Sequence, residues 1–374
     1  MVQGLFVQEL LKELQRNLFN CHRDNYDIET LSEPEVEGER SIRQRRKEFL
    51  LRRGLLSRED TESLLSAIQP FVWFFHRFEQ LYDALADAES RLLLVQVIAF
   101  RILGPEKVRL PLNNKEFWKQ RDVLRGLFRQ GDAIVSGKYS LGLMDLNWIG
   151  YPIKLYTTAI GPQSVFLLKQ YEYHSSVARI KAEMGDVVID GGGCWGDTGL
   201  YFAHEVGDDG KVVSLEGIPE NLSVMRKNLG LNGRLRQRIE VVELPLWSTP
   251  GVRLHFHNDG PSSRGSLDPG SSAGETMVRE STSIDALFDR LDLRRIDFIK
   301  MDIEGAELEA LHGARETIIR FRPKLAISVY HSISDFVDVF EFLSALNLGY
   351  KYYLGHYTIH WHETVLFAVS GETA

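Results

Sequence analysis

Asp186-Val-Val-Ile-Asp-Gly-Gly-Gly-Cys-Trp-Gly196 sets a short apolar strand against a turn made almost entirely of glycine. The strand, Val187 to Ile189, ends in an acid, Asp190, and a helical run, Leu200-Tyr-Phe-Ala203, follows the glycines. About twenty residues further on, a second apolar strand, Val212-Val213, leads to another acid, Glu216. This is the order of an α/β fold that lays a nucleotide-like ligand across the ends of parallel strands. Glycines let the backbone come close to the ligand, and the second acid accepts both hydroxyls of a ribose. The candidate ligand contacts are therefore Asp190, Gly191, Gly192, Gly193, Gly196, Glu216 and Gly217.

Two spacings coexist in this turn. Gly191, Gly193 and Gly196 satisfy G-x-G-x-x-G, which admits a nicotinamide or flavin enzyme. Asp190, Gly192 and Gly196 also form acid-x-Gly-x-x-x-Gly, which resembles the first motif of Rossmann-like methyltransferases. Their ligand, S-adenosylmethionine, has no pyrophosphate but carries a sulfonium and an amino acid end. An acid at the strand tip suits it, so Asp190 is expected beside the sulfonium. The motif alone leaves both ligands open.

A third element separates them. Phe298-Ile-Lys-Met-Asp-Ile-Glu-Gly-Ala-Glu-Leu-Glu-Ala-Leu-His-Gly-Ala314 reads as a buried strand, an acidic turn and an amphipathic helix. Together with Asp190–Gly196, Leu215-Glu-Gly-Ile-Pro-Glu-Asn-Leu222 and Asn228-Leu-Gly-Leu-Asn232, it resembles the FkbM family of methyltransferases. That family shows D-x-G-A-N-x-G, E-P-x-P-E-N, N-L-x-L-N and I-K-I-D-x-E-G-A-E. The resemblance spans residues 185–370, and Gly193-Cys194 and Gly217-Ile218 depart from it where Ala-Asn and Pro-x are usual. It implies a Rossmann-like seven-stranded α/β sheet, S-adenosyl-L-methionine as cofactor, and transfer to a hydroxyl of a sugar, glycolipid or other natural product. An N-methyltransferase on the same scaffold is the alternative. A nicotinamide enzyme is disfavoured by Glu304-Gly-Ala-Glu307 and by the final hairpin described below. A non-catalytic scaffold would keep the fold and bind cofactor weakly.

Composition narrows the partners. The 374 residues are 44% hydrophobic and 26% charged, as in ordinary globular proteins. A net charge of −8 speaks against nucleic acid. A small-molecule or glycan acceptor is expected instead. Cys21 and Cys194 are the only cysteines, so a reducing, cytoplasmic setting fits better than a disulfide framework. No apolar run reaches the roughly 18 residues of a membrane span, and Met1-Val-Gln-Gly-Leu5 lacks the basic start of a signal peptide.

Three segments are expected: a mainly helical domain over 1–135, a β-hairpin and helix connector over 136–170, and the methyltransferase domain over 171–374. The helical domain would bind the acceptor or pair two chains. Leu5, Leu10, Leu11, Leu14 and Leu18 predict a core-facing stripe. The basic cluster Arg43 to Arg53 reads as a solvated helix face, Ser57 as a helix start, and Trp73 to Tyr82 as helical core. A buried helix over 90–103 should stop at Gly104-Pro105. Further strands are expected at 187–190, 212–216, 239–244, 296–301 and 325–329. Two more, at 350–354 and 364–369, form a hairpin with one antiparallel edge. The Gly- and Ser-rich stretch 257–283 reads as a mobile loop beside the substrate.

Methyl transfer to a hydroxyl needs alignment, exclusion of water and a proton acceptor. Candidates stand where strands end on the cofactor's edge. Asp302 tips the fourth strand, Glu304 follows it, and His331 tips the fifth. His331 is the expected base, since imidazole is ordinarily neutral at pH 7, and Asp302 is its orienting partner. Asp302 also serves as a candidate cofactor contact or helix cap, and Glu304 and Glu307 as first-turn acids favoured by the helix dipole. His356, His360 and His362 in the last hairpin are secondary candidates. A divalent metal is not expected, because the fifth strand offers His331 and Ser332 where magnesium prefers oxygen.

Overall fold

The computed structural model describes residues 4–22, 25, 58–257, 260–268 and 276–371. The charged segment 33–47, the basic cluster 43–53 and Ser57 lie outside them. Two compact units divide the chain. One holds Met1–Lys115 with Thr358–His362, the other Glu116–Tyr357 with Glu363–Ala374.

The first unit is helical over its described residues, with helices Leu5–Asn17, Arg58–Val72, Phe75–Ala84 and Ala88–Leu103. Leu5–Asn17 buries Phe6, Leu10 and Leu14, while Leu5 and Leu11 of the predicted stripe are exposed. Positions four apart share one face of a helix, and Phe6 takes the place assigned to Leu5. Its ring packs 5.4 Å from Phe78. The predicted aromatic core is right for Phe78 and Leu81 but not for Trp73, which is exposed. Ala88–Leu103 is capped by Asp87, which accepts from Ser90 N at 2.8 Å, and Gly104 with φ +78° ends it as expected.

In the second unit, helix Lys115–Leu127 precedes strands β1 (Arg129–Ser136), β2 (Tyr139–Asp145) and β3 (Lys154–Thr157), which form an antiparallel sheet. The helix expected in the connector over 136–170 is a single π-type turn, Gln163–Leu167. A two-stranded ladder, β4 (Tyr173–His174) and β5 (Arg179–Ile180), follows. The main sheet then takes up β6 (Val187–Gly191), β7 (Lys211–Leu215) and β8 (Ile239–Val242). A small sheet interrupts: β9 (Arg253–His257), β10 (Gly265–Ser266) and β11 (Thr276–Glu280). Two of its strands, β10 and β11, lie within the stretch 257–283 expected to be a mobile loop, and β9 ends at its first residue, so backbone pairing claims part of that stretch; residues 269–275 lie outside the described ones. Finally come β12 (Phe298–Met301), β13 (Lys324–Ser328), β14 (Tyr350–His356) and β15 (Thr364–Ser370).

The seven strands of the main sheet lie in the order β14-β15-β13-β12-β6-β7-β8, with helices between them in sequence. This is the expected Rossmann-like architecture. One detail differs: the antiparallel strand β15 is not at the edge but lies between β13 and β14. Its seven residues are all buried, so it belongs in the interior. The central strands are apolar along their length because both faces are covered. Ser214, Asp190 and Lys300 interrupt this pattern in register across β7, β6 and β12. The chain leaves β6 for β7 on one side and returns to β12 on the other, and such a switch point opens a crevice at the carboxyl ends of the strands.

Candidate active site

The loop after β6 is shaped by what surrounds it. Gly192 and Gly196 have φ of +80° and +85°, where glycine alone is unstrained. A Cβ on Gly192 would also meet the Asp302 carbonyl oxygen at 2.0 Å. Helix Asp197–Glu205 begins at Gly196. Behind the loop, Asp190 is wholly buried. Its carboxylate accepts from Thr198 Oγ1 at 2.9 Å and Ser214 Oγ at 2.8 Å, and Lys300 Nζ lies 3.1 Å away. Lys300 donates in turn to the carbonyls of Gly191 at 2.9 Å and Gly192 at 2.7 Å. Burial opposes its charge, but Asp190 and Asp302 outweigh burial and raise its pKa. Asp190 thus anchors the loop from inside, and it is not among the residues lining the cleft. The lysine is the residue that the sequence reading passes over, although a lysine inside a buried apolar strand is itself a signal of an internal ion pair.

The cleft in front of the loop is open to solvent, with about 590 Å³ of empty space when its mouth is included. Gly192, Glu216, Gly217, Asp302 and Glu304 border it; Gly191, Gly193 and Gly196 form the turn behind. Ile218, Pro245, Leu246 and Phe256 add apolar walls that were not anticipated. A Cβ on Gly217 would lie 3.0 Å from Pro245 Cδ, which accounts for glycine there. The segment 260–265 contributes to the lining, tied down where buried Asn221 donates to Gly260 O at 3.2 Å. Glu216 is buried, and its Oε1 accepts from Ile218 N at 2.7 Å. Burial pushes its pKa up to about 7 against the pull of that N–H.

The two departures from the family motif have local explanations. A Cβ at Gly193 would lie 2.2 Å from Ser214 Oγ and 2.8 Å from Met225 Cε, so glycine leaves room for the serine that bonds Asp190. Cys194 has φ +42°, a region where asparagine is favoured. Burial, then Glu216 and Asp197, push its thiol well above the ordinary range, so it remains a thiol.

Asp302, beyond β12, accepts from Tyr171 Oη on Oδ2 and Tyr330 Oη on Oδ1, each at 3.0 Å. It does not cap the next helix, which starts at Glu307 after Ala306. Glu304 holds φ +59°. Arg264 Nε donates to its carbonyl at 2.8 Å. His331 stands among the acids. Its Nε2 lies 3.5 Å from Asp302 Oδ1 and 3.6 Å from Glu304 Oε2, and its Nδ1 lies 3.3 Å from Glu307 Oε1. Burial alone would lower the histidine's pKa, but Glu307, Asp302 and Glu304 prevail and raise it to about 9. An imidazole in this surrounding is already protonated at pH 7, so the reason for expecting His331 to be the base does not hold. Glu304 moves the other way for a carboxylate: burial, with Asp302 and Glu307, brings it up to about 7. Glu363, bonded by Gln170, is likewise pushed up by burial and Asp302. Of the hairpin histidines, His356 is not among the residues lining the cleft. His356 Nδ1 pairs with Thr364 Oγ1 at 2.9 Å, and His360 and His362 belong to the other unit, with rings stacked 5.7 Å apart.

The switch-point cleft, with an acid after the second strand of the seven-stranded sheet, is where a Rossmann-like domain takes a nucleotide-like ligand. Residues 182–352 match the model of the methyltransferase FkbM domain. Among solved structures, methyltransferase FkbM from Methylobacillus flagellatus is similar at 20% identity and a TM-score of 0.52, over 86% of this chain and 65% of that one. The chain therefore spans 65% of that protein's length, and the likeness speaks for the fold. Fibrillarin from Aeropyrum pernix, in complex with S-adenosyl-L-methionine, matches at 11% identity and a TM-score of 0.35, over 64% of this chain and 99% of that one. That score is too low to bear on the site. No curated protein matches the chain. Among the described residues, no helix is long and apolar enough to cross a membrane.

Proposed function

We propose that the chain is an S-adenosylmethionine-dependent O-methyltransferase acting on a hydroxyl of a sugar, glycolipid or related natural product. One observation carries this reading: a single cleft is bordered both by Glu216 with its apolar neighbours and by Asp302 and Glu304. Glu216 suits the hydroxyls of a ribose, and Ile218, Pro245 and Leu246 suit a flat purine. Bound there, S-adenosylmethionine would supply an electrophilic methyl group. Gly192 lets the loop pass close to the ligand, and the Lys300–Asp190 pair holds the loop in place. Asp302, fixed by two tyrosine hydroxyls, orients the acceptor. Glu304 borders the cleft and is the carboxylate placed to receive the acceptor's proton. The charged His331 keeps these acids together.

The test is incubation with methyl-labelled S-adenosylmethionine and panels of glycans, glycolipids and amines. Label recovered as a methyl ether supports the reading, and label recovered only on nitrogen supports the N-methyltransferase alternative. Glu304→Gln should lower turnover by roughly 10²–10⁴-fold while S-adenosylhomocysteine still binds.

A further inference from the structure

The acidic cluster beside the cleft holds more negative charge than its side chains balance. Asp302, Glu304 and Glu307 all face His331, at 3.5, 3.6 and 3.3 Å. The side chains of His331 and Glu307 are 4% and 1% exposed. Lys300, the nearest buried cation, is engaged with Asp190 and two carbonyls. Arg264 reaches the cluster from an exposed position and bonds a backbone carbonyl. Buried carboxylates in such numbers require a compensating cation.

The hydrogen bonding around the cluster adds an independent observation. Glu307 Oε1 accepts from Ile303 N at 2.8 Å, but its Oε2 is buried and has no hydrogen-bond partner among the described residues. Both ring nitrogens of His331 are likewise buried without a hydrogen bond. One donor atom each from Asp302, Glu307 and His331 lies within 4.8 Å of the other two. That span matches opposed ligands around one ion whose bonds are about 2.0–2.4 Å long.

We propose that Asp302, Glu307 and His331 hold one divalent cation. It binds by displacing the proton that His331 otherwise carries among these acids. Two carboxylates and an imidazole suit a first-row ion such as Mn²⁺ better than Mg²⁺, which favours an all-oxygen shell. The surroundings are those of a metal site: the hydroxyls of Tyr171 and Tyr330 fix Asp302, and the Ile303 N–H fixes Glu307. Asp302 also borders the cleft, so the ion stands one carboxylate away from the acceptor. Only that last link rests on the proposed methyl transfer; binding of the ion does not.

Mn²⁺ titration of the full chain, followed by electron paramagnetic resonance and calorimetry, tests the proposal. One saturable site per chain is expected. It should disappear in His331→Ala and weaken at least tenfold in Glu307→Gln, which keeps the bond from Ile303. S-adenosylhomocysteine is titrated in parallel to confirm that each variant is folded. If His331→Ala does not fold, Glu307→Gln decides alone. No saturable Mn²⁺, Co²⁺ or Zn²⁺ site at millimolar concentration in a chain that binds S-adenosylhomocysteine would overturn the proposal. So would a site unchanged by Glu307→Gln. A chain that binds the ion but not S-adenosylhomocysteine would count against the cofactor reading and leave the ion site standing.

Discussion

Replacing Lys300 by methionine should destabilise the protein far more than an ordinary core substitution. Methionine preserves most of the side-chain volume, so packing changes little. What is lost is electrostatic. Asp190 is 0% exposed and would be left with only Thr198 and Ser214 as side-chain donors. Breaking a buried pair from one side costs about 3–5 kcal/mol. The Gly192 carbonyl would lose its lysine donor, whereas the Gly191 carbonyl still accepts from Asp302 N at 3.1 Å. The glycine loop would then be free to move, so affinity for S-adenosylhomocysteine should fall along with stability. Asp190→Asn in the Lys300→Met background removes the stranded charge and should recover about 1–3 kcal/mol as a coupling energy. Urea unfolding gives the stability, with the m-value checked for constancy; calorimetry gives the affinity. A Lys300→Met variant within 1 kcal/mol of the parent, with unchanged affinity, would refute the assignment of Lys300 as the loop's anchor.

Glu216→Gln should weaken S-adenosylhomocysteine binding by at least tenfold, since hydrogen bonds to a charged acceptor are worth about 1.5–3 kcal/mol each. Ribose hydroxyls favour the ionised carboxylate, so affinity in the parent should rise between pH 6 and 8, through the raised pKa of about 7, and proton release should accompany binding. Without ligand the sign is opposite. A carboxyl whose folded pKa is raised contributes most to stability below its ordinary value of 4.5, and that contribution is lost as pH rises through about 7; thermal melts of parent and Glu216→Gln should diverge over that window. Gly193→Ala should cost about 1–3 kcal/mol through overpacking, and Ser214→Ala added to it should cost less than the two singles summed, as measured by a double-mutant cycle in urea. Hydrogen exchange should find the β9–β11 ladder protected and residues 260–265 more protected with S-adenosylhomocysteine; indifference of that segment to ligand would separate it from the cleft.

The sheet was legible because its signals are local. Apolar runs ending at Asp190, Glu216 and Asp302 mark strand ends, and the glycines mark the turn between them. The placement of β15 between β13 and β14 was not, because a hairpin sequence fixes its own pairing but not which of its strands meets the sheet. The small sheet β9–β11 was hidden for a related reason: its strands are short, and their pairing spans a Gly- and Ser-rich segment with no periodicity. At the site, residue identity outran residue chemistry. Asp302, Glu304 and His331 do come together, but the charge of His331 depends on Glu307 arriving from the next helical turn, and the setting of Asp302 on Tyr171 and Tyr330. The two tyrosine contacts join residues 28 and 131 positions apart, and Glu307 meets His331 from across the intervening helix and strand. No spacing rule reports them.

The row formed by Ser214, Asp190 and Lys300 has a consequence for how the strands find their alignment. Val, Ile and Leu on strands buried from both sides pack almost equally well after a shift of one or two residues, so apolar pattern says little about alignment at the centre of this sheet. A polar row behaves differently. Sliding β12 by one residue against β6 would turn Lys300 to the opposite face and bring an apolar side chain to Asp190. Sliding β7 would withdraw Ser214 in the same way. The first misalignment strands a charge in the interior, the second costs Asp190 a hydrogen bond, and only one offset satisfies all three groups together. The row therefore acts as a key for strand assembly, rejecting slipped sheets that hydrophobic packing alone would tolerate.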